Sequence, residues 1–91
     1  MNILSETDFP VHEDVKVIKG VTISKSVKWW SAVLLYELYG KRKIAIYIWQ
    51  LRNGAWKRKN KLIIGGRYQW ENMKQVVEQF LTELEKTKQT P

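Results

Sequence analysis

The chain has 91 residues, is 44% hydrophobic and carries a formal charge of +7, with one histidine and no cysteine. A chain of this length forms a single domain with a modest hydrophobic core. Without cysteine, the chain has no disulfides, thiolate nucleophiles or cysteine-ligated metal sites. The longest apolar run, residues 29–36, is too short to span a bilayer, and residues 1–9 lack the arrangement of a signal peptide. We therefore expect an intracellular protein of the cytoplasm, nucleoid or nucleus, with no membrane partner.

The charge is unevenly distributed along the chain. Residues 1–14 contain four acids and no Lys or Arg, giving −4, whereas residues 15–64 contain twelve Lys or Arg and one acid, giving +11. Residues 65–91 are neutral, and seven of the eleven aromatic residues lie in the basic middle region. This composition suits nucleic acid, because phosphates need cations and unpaired bases stack on rings. The alternative is that the lysines only solubilise a β-rich domain whose core the rings fill.

In chain order, the acidic residues 1–14 have no apolar period, and we predict a flexible tail. We predict that a single-stranded nucleic-acid-binding domain then covers residues 15–88. Its predicted strands lie at about 15–23, 28–39, 43–51 and 56–64. The first of them contains Gly20, where the strand can bend or bulge. Asn53-Gly54 predicts a two-residue hairpin, because both residues tolerate positive φ.

From residue 67 to about residue 86 the period becomes helical. Apolar residues at spacings of three and four form a wide stripe, made of Trp70, Met73, Val76, Val77, Phe80, Leu81 and Leu84. We expect Trp70, which opens the stripe, to anchor the helix on the sheet. The predicted fold class is α+β, with a four-stranded antiparallel curved sheet followed by one C-terminal amphipathic helix (β-β-β-β-α), in a homodimer.

The third predicted strand has two distinct faces, because Ile44, Ile46 and Ile48 alternate with Tyr47 and Trp49. One helix covers only one face of a four-stranded sheet. We expect it to pack on the isoleucine row and to leave the rings open to solvent. An uncovered aromatic patch indicates a binding surface for a ligand, for a second subunit, or for both.

The candidate phosphate contacts are Lys43 and the lysines of the fourth strand. On a regular strand Lys57, Lys59 and Lys61 share one face about 7 Å apart, a spacing that can follow successive phosphates. The alternative is an edge strand whose lysines block aggregation. The candidate rings for stacking bases are Trp29, Trp30, Tyr47 and Trp49. Their alternative role is cross-strand packing.

Catalysis has little support in the sequence. It contains no suggestive pair of carboxylates in the sheet and no phosphate-binding glycine motif. His12 lies in the predicted tail, and Glu37 alone is a poor metal site. We expect no enzymatic activity, no cofactor and no metal.

A family resemblance covers residues 43–81, which read KIAIYIWQLRNGAWKRKNKLIIGGRYQWENMKQVVEQFL. This run resembles the core of the transcriptional coactivators called positive cofactor four and their bacterial and archaeal relatives. The features in common are an alternating strand, a hairpin, the basic-then-apolar run that starts at Lys61, and Trp70 in the helix. The resemblance implies a homodimer that binds single-stranded or melted DNA across curved sheets.

The resemblance also implies individual site residues. Lys61 matches the family's DNA-contacting lysine. Trp49 and Arg52 lie near positions where the family has an arginine and an aromatic residue, so their order is exchanged in this chain. Leu62 stands where the family has a glycine.

Together these features predict a non-catalytic, homodimeric single-stranded DNA-binding protein of low sequence specificity. It would act in transcription, replication or repair, with the transcription machinery as a further partner. One alternative is an RNA-binding or ribosome-associated protein, since a basic aromatic sheet also suits unpaired RNA. Another is a protein-interaction module whose aromatic face is a dimer interface. A further hypothesis is that the acidic leader folds back on the basic sheet and competes with DNA.

Overall fold

The chain forms one open, curved antiparallel sheet followed by a helix, in a computed structural model that describes residues 5–6 and 8–89, with side chains for 8–87. The elements are β1 (Ser5–Glu6), β2 (Lys16–Lys25), β3 (Trp29–Leu38), β4 (Lys41–Arg52), β5 (Ala55–Ile64) and α1 (Arg67–Gln89). Neighbours in the chain are neighbours in the sheet. The predicted class of four antiparallel strands followed by one helix is confirmed. The two-residue β1, which lies within the predicted tail, is added at the β2 edge.

Tight turns join β3 to β4 and β4 to β5. Asn53 and Gly54 have φ values of 52° and 78°, the pair of positive values that the hairpin signal predicts. Tyr39 and Gly40 adopt nearly the same pair, 51° and 78°, between β3 and β4. The Tyr39–Gly40 turn joins two strands, β3 and β4, that pair in continuous register from end to end.

Bulges interrupt the other two long ladders. β2 is irregular near Ile18 and near Ile23, on either side of Gly20, and β5 has an extra residue at Lys59. An extra residue reverses the side of the sheet on which the following side chains lie and increases the local twist. The bulges therefore determine on which face of the sheet the side chains of β2 and β5 lie.

The sheet has an aromatic face, which carries Tyr47 and Trp49, and an isoleucine face, which carries Ile44, Ile46 and Ile48. The core lies on the aromatic face. Its buried residues are Phe9, Trp30, Ala32, Leu34, Tyr36, Ala45, Tyr47 and Trp49. All but Phe9 alternate along β3 and β4, as the pleat requires.

Residues 8–15, which we call the strap, lie against the aromatic face. Phe9 is buried there, and Val11 and Val15 pack against the same cluster. The prediction that Tyr47 and Trp49 are open to solvent is therefore wrong, because the strap covers the face that the helix leaves free. The structure also differs from a flexible tail over residues 8–14.

α1 begins after Gly66, whose carbonyl accepts a hydrogen bond from the Trp70 amide at 3.0 Å. Trp70 lines a cavity of about 330 Å³ with Ile44 and Ile46, so the start of the helix meets the isoleucine face. Beyond that point the helix makes no extensive contact with the part of the sheet that is described. Phe80 is 66% exposed, and the expectation that the whole stripe packs on the isoleucine row is wrong. Within residues 8–89, no helix combines the length and the apolar character that a membrane span needs.

Candidate nucleic-acid interface

Four aromatic rings form a continuous row across the aromatic face. Trp30 and Tyr36 come from β3, and Tyr47 and Trp49 come from β4. The ring centroids are 5.0 Å apart between Trp30 and Trp49, 5.3 Å between Trp49 and Tyr47, and 6.2 Å between Tyr47 and Tyr36. These are distances at which rings attract one another, so each ring holds its neighbour in place.

Lysines stand over both ends of this row. Lys25 Nζ lies 3.8 Å from the centroid of Trp30. Lys61 Nζ lies 4.9 Å from the ring of Tyr36 and 5.2 Å from the ring of Tyr47. A cation over a ring contributes about 0.5–1 kcal/mol at exposed sites. The face thus combines fixed positive charge with aromatic surface at each end.

Two further cations reach the same face through strand register. Lys43 lies opposite Tyr36, and Arg58 lies opposite Trp49. Lys25 and Arg58 were not among the residues that the sequence indicated. Both owe their positions to bulges, and no local signal in the sequence marks a bulge at Ile23 or Lys59.

The surroundings of Lys61 favour its charged form. Partial burial acts to lower its pKa, but the phenol oxygens of Tyr47 and Tyr36 outweigh this effect and raise the pKa of Lys61 above its ordinary value of 10.5. Lys61 therefore stays positively charged at neutral pH.

Replacing Lys61 with methionine should lower the free energy of unfolding by about 0.5–1 kcal/mol at neutral pH, because the cation over two rings is lost. A group whose pKa is raised on folding stabilises the fold below its unfolded pKa, and this stabilisation is lost as the pH rises through the folded value. The difference between wild type and variant should therefore stay constant up to pH 10.5 and shrink above it. Urea unfolding across this range measures the effect. Lys59→Met, at an exposed position, is the control, and a difference that already shrinks near neutral pH would contradict the assignment.

The predicted lysine row of β5 is divided between the two faces. Lys61 lies opposite Tyr47 on the aromatic face, whereas Lys57 lies opposite Gln50 on the isoleucine face. The cause is the extra residue, Lys59, which has no partner on β4. The interpretation that Lys57, Lys59 and Lys61 form one row is therefore wrong.

The two adjacent tryptophans also lie on opposite faces. Trp30 belongs to the aromatic row, and its indole N–H donates to Thr22 Oγ1 at 3.0 Å. Trp29 is 43% exposed and lies opposite Gln50, on the isoleucine face. Arg52 ends β4 beside the hairpin and is exposed, away from the row. Of these three predicted site residues, the structure brings only Trp30 into the row.

The strap is the part of the site that sequence reasoning missed. Phe9 is 7% exposed, and its ring lies 5.5 Å from Trp30 and 6.0 Å from Trp49, at an angle of 19° to the latter. Asp14 accepts a hydrogen bond from the Tyr39 hydroxyl at 3.4 Å. The available signal was the presence of Phe9, Val11 and Val15 among polar residues, because isolated apolar side chains in an acidic leader need a place to be buried.

The described side chains, 8–87, offer no group of three His, Asp or Glu residues that could hold a metal ion. His12 is exposed and accepts a hydrogen bond from the Asp14 amide at 3.1 Å, within the strap itself. The charged groups that the strands bring to the aromatic row are cations, which suit an anionic ligand.

Comparisons with protein-family models, with curated proteins and with solved structures find no match for this chain. The resemblance to the positive cofactor four family therefore stays a prediction. Function is inferred from the residues and geometry of the aromatic face.

Proposed function

We propose that the chain is a non-catalytic protein that binds single-stranded DNA with low sequence specificity, as a homodimer, inside the cell and in transcription, replication or repair. The observation that carries this proposal is the segregation of chemistry between the two faces of the sheet. One face combines a row of rings with Lys25, Lys43, Arg58 and Lys61. The other carries the row of isoleucines, which α1 meets only at its start.

The cations would capture the phosphates, and the rings would hold the bases. Phosphate contact is independent of sequence, and base–aromatic stacking contributes about 1–3 kcal/mol per base with little discrimination, because every base has a π face. A sheet bearing rings suits unpaired bases better than a duplex, in which the base faces are already stacked. In the unbound chain the strap covers these rings, so stacking requires that the strap move.

Titration of a labelled oligothymidylate, followed by fluorescence anisotropy over a range of salt concentrations, tests the proposal. Four cations that each neutralise one phosphate give a log–log salt slope of about −3, since each contributes about −0.7 on a single strand. Lys61→Met should make the slope shallower by about 0.7. Lys57→Met, which removes the same charge from the opposite face, should leave it unchanged.

Competitor nucleic acids distinguish the alternatives in the same assay. A duplex of mixed sequence should compete poorly. Preference for that duplex, affinity that ignores salt, or an effect of Lys57→Met as large as that of Lys61→Met would contradict the proposal. Stronger competition by the matching RNA strand would favour an RNA-binding protein, and no binding at low salt would favour a protein-interaction module.

The proposed homodimer uses the isoleucine face and the apolar stripe of α1. Ile44, Val77, Phe80 and Leu84 are all exposed in the single chain, and exposed apolar residues grouped in this way are typical of an interaction surface. Residues 65–91 carry no net charge on a chain of +7, so two copies can approach there without the repulsion that operates elsewhere. A two-fold axis would pair each stripe with the same stripe of the other copy.

A further inference from the structure

Phe9 occupies a slot on the aromatic face. Trp30 and Trp49 line it with their rings, and Gly20 leaves room for the phenyl group, because a Cβ at Gly20 would overlap Phe9 Cε2. The slot therefore accepts a flat ring between aromatic surfaces and a bare stretch of backbone. This is the shape of a site for a single unpaired base.

The strap places a negative charge beside the ring of Phe9. Asp8 precedes Phe9, and both line an open cavity together with Lys25 and Trp30. Lys25 is the lysine whose ammonium stands 3.8 Å from the Trp30 ring. A carboxylate next to a ring, beside a lysine and a tryptophan, repeats the arrangement of a phosphate next to its base.

One buried donor at the slot has no partner in the unbound chain. Trp49 is fully buried, and its indole Nε1 lacks a hydrogen-bond acceptor among the described residues. Phe9 fills space but has no polar atom to offer, whereas the edge of a base carries carbonyl oxygens and ring nitrogens. Buried donors without acceptors are unusual in folded proteins, and the edge of a base would supply the acceptor that this indole lacks.

The strap can leave without disrupting the sheet. Its backbone hydrogen bonds, from the Val11 amide to the Phe9 carbonyl and from the Val15 amide to the His12 carbonyl, stay within the strap. Side-chain contacts, those of Phe9 above all, hold it on the aromatic face. Displacing them therefore exposes the row and leaves intact the ladders that join β2, β3, β4 and β5.

We infer that the Phe9 slot is a base-binding subsite, and that Asp8 and Phe9 occupy it in the unbound chain as an internal mimic of a nucleotide. This inference rests on the proposed function and adds two details to that function, namely one subsite for a base and the segment that competes with the base for this subsite. Single-stranded nucleic acid binds by replacing Phe9 with a base and Asp8 with a phosphate. The acidic leader thereby acts as an intramolecular competitor.

Fluorine NMR on the full chain tests the exchange directly. The chain contains two phenylalanines, Phe9 and Phe80, so labelling with para-fluorophenylalanine gives one buried and one exposed reporter. The variant Phe80→Leu assigns the two signals. On addition of an oligothymidylate, the Phe9 signal should move to the position of a solvated phenylalanine. A Phe9 signal that stays in place while anisotropy shows that the strand is bound overturns the inference and leaves the proposed function standing.

Phe9→Ala provides a second, independent measurement. Suppose that the strap closes the slot in about nine molecules of ten. Phe9→Ala then leaves the slot open in all molecules and increases the apparent affinity for oligothymidylate about tenfold. Val27→Ala, at an exposed position between β2 and β3, should bind as wild type does. Unchanged or weaker binding by Phe9→Ala would show that Phe9 is an ordinary core residue. Absence of binding by both wild type and Phe9→Ala at low salt would overturn the proposed function and the subsite with it.

Discussion

Replacing Trp49 with alanine should lower the free energy of unfolding by about 3–5 kcal/mol, the range for truncating a large buried aromatic residue. Trp49 is fully buried, and its ring lies within 6.0 Å of the ring centroids of Phe9, Trp30 and Tyr47. The truncation leaves a cavity at the centre of the row. Because small domains are stable by only about 5–15 kcal/mol, this loss is a large share of the total. Urea unfolding followed by circular dichroism measures it.

Trp29→Ala is the matched control, since this tryptophan is on the opposite face and 43% exposed. Its replacement should cost less than about 1 kcal/mol. Equal effects of the two variants would contradict the assignment of the core to the aromatic face. Trp49→Phe keeps a ring in the row and removes the unpartnered indole N–H, so it is the better variant for binding measurements.

Val77→Asp should convert the proposed dimer to a monomer, raising the dissociation constant at least about a hundredfold. A carboxylate in an apolar contact costs several kcal/mol, each 1.4 kcal/mol is a factor of ten, and a two-fold interface contains the change twice. Val77 lies in the stripe of α1, away from the sheet, so the sheet itself should be unaffected. Sedimentation velocity over a range of protein concentrations measures the association.

The control for this prediction is Gln75→Asp, which adds the same charge at an exposed position off the stripe. It should sediment as wild type does. A wild-type chain that is monomeric at all concentrations would refute the dimer. Dissociation by both variants alike would indicate that charge on the helix matters more than the apolar contact.

The elements with strong local patterns were predictable. The alternation of isoleucines with Tyr47 and Trp49 indicated β4, Asn53-Gly54 indicated the hairpin, and the helical stripe indicated α1. Each of these signals depends on a few consecutive residues and on backbone geometry that neighbours in sequence decide. For this reason the fold class followed from the sequence.

Which residues belong to the site depends on contacts between residues that are distant in sequence. The bulge at Lys59 arises where β5 fits the twist of β4, and it exchanges Arg58 for Lys57 on the aromatic face. The burial of Phe9 depends on Gly20 and on tryptophans from two other strands. Neither the bulge nor the burial of Phe9 produces a periodic pattern in the sequence. The sequence therefore indicated that the site consists of aromatic and basic residues, but it identified only some of those residues.

The sparse contact between α1 and its own sheet affects how the molecule opens. The helix has 23 residues and is about 35 Å long, yet it meets the sheet only at its start. Most of the stability of a helix in a protein comes from the packing of its apolar face, which α1 lacks beyond its start, whereas β3 and β4 are protected by the whole core. Amide hydrogens of α1 should therefore exchange faster than those of the central strands. In the proposed dimer the protection of these amides increases with protein concentration. The stability of α1, a quarter of the chain, would then depend on how much of the protein is present.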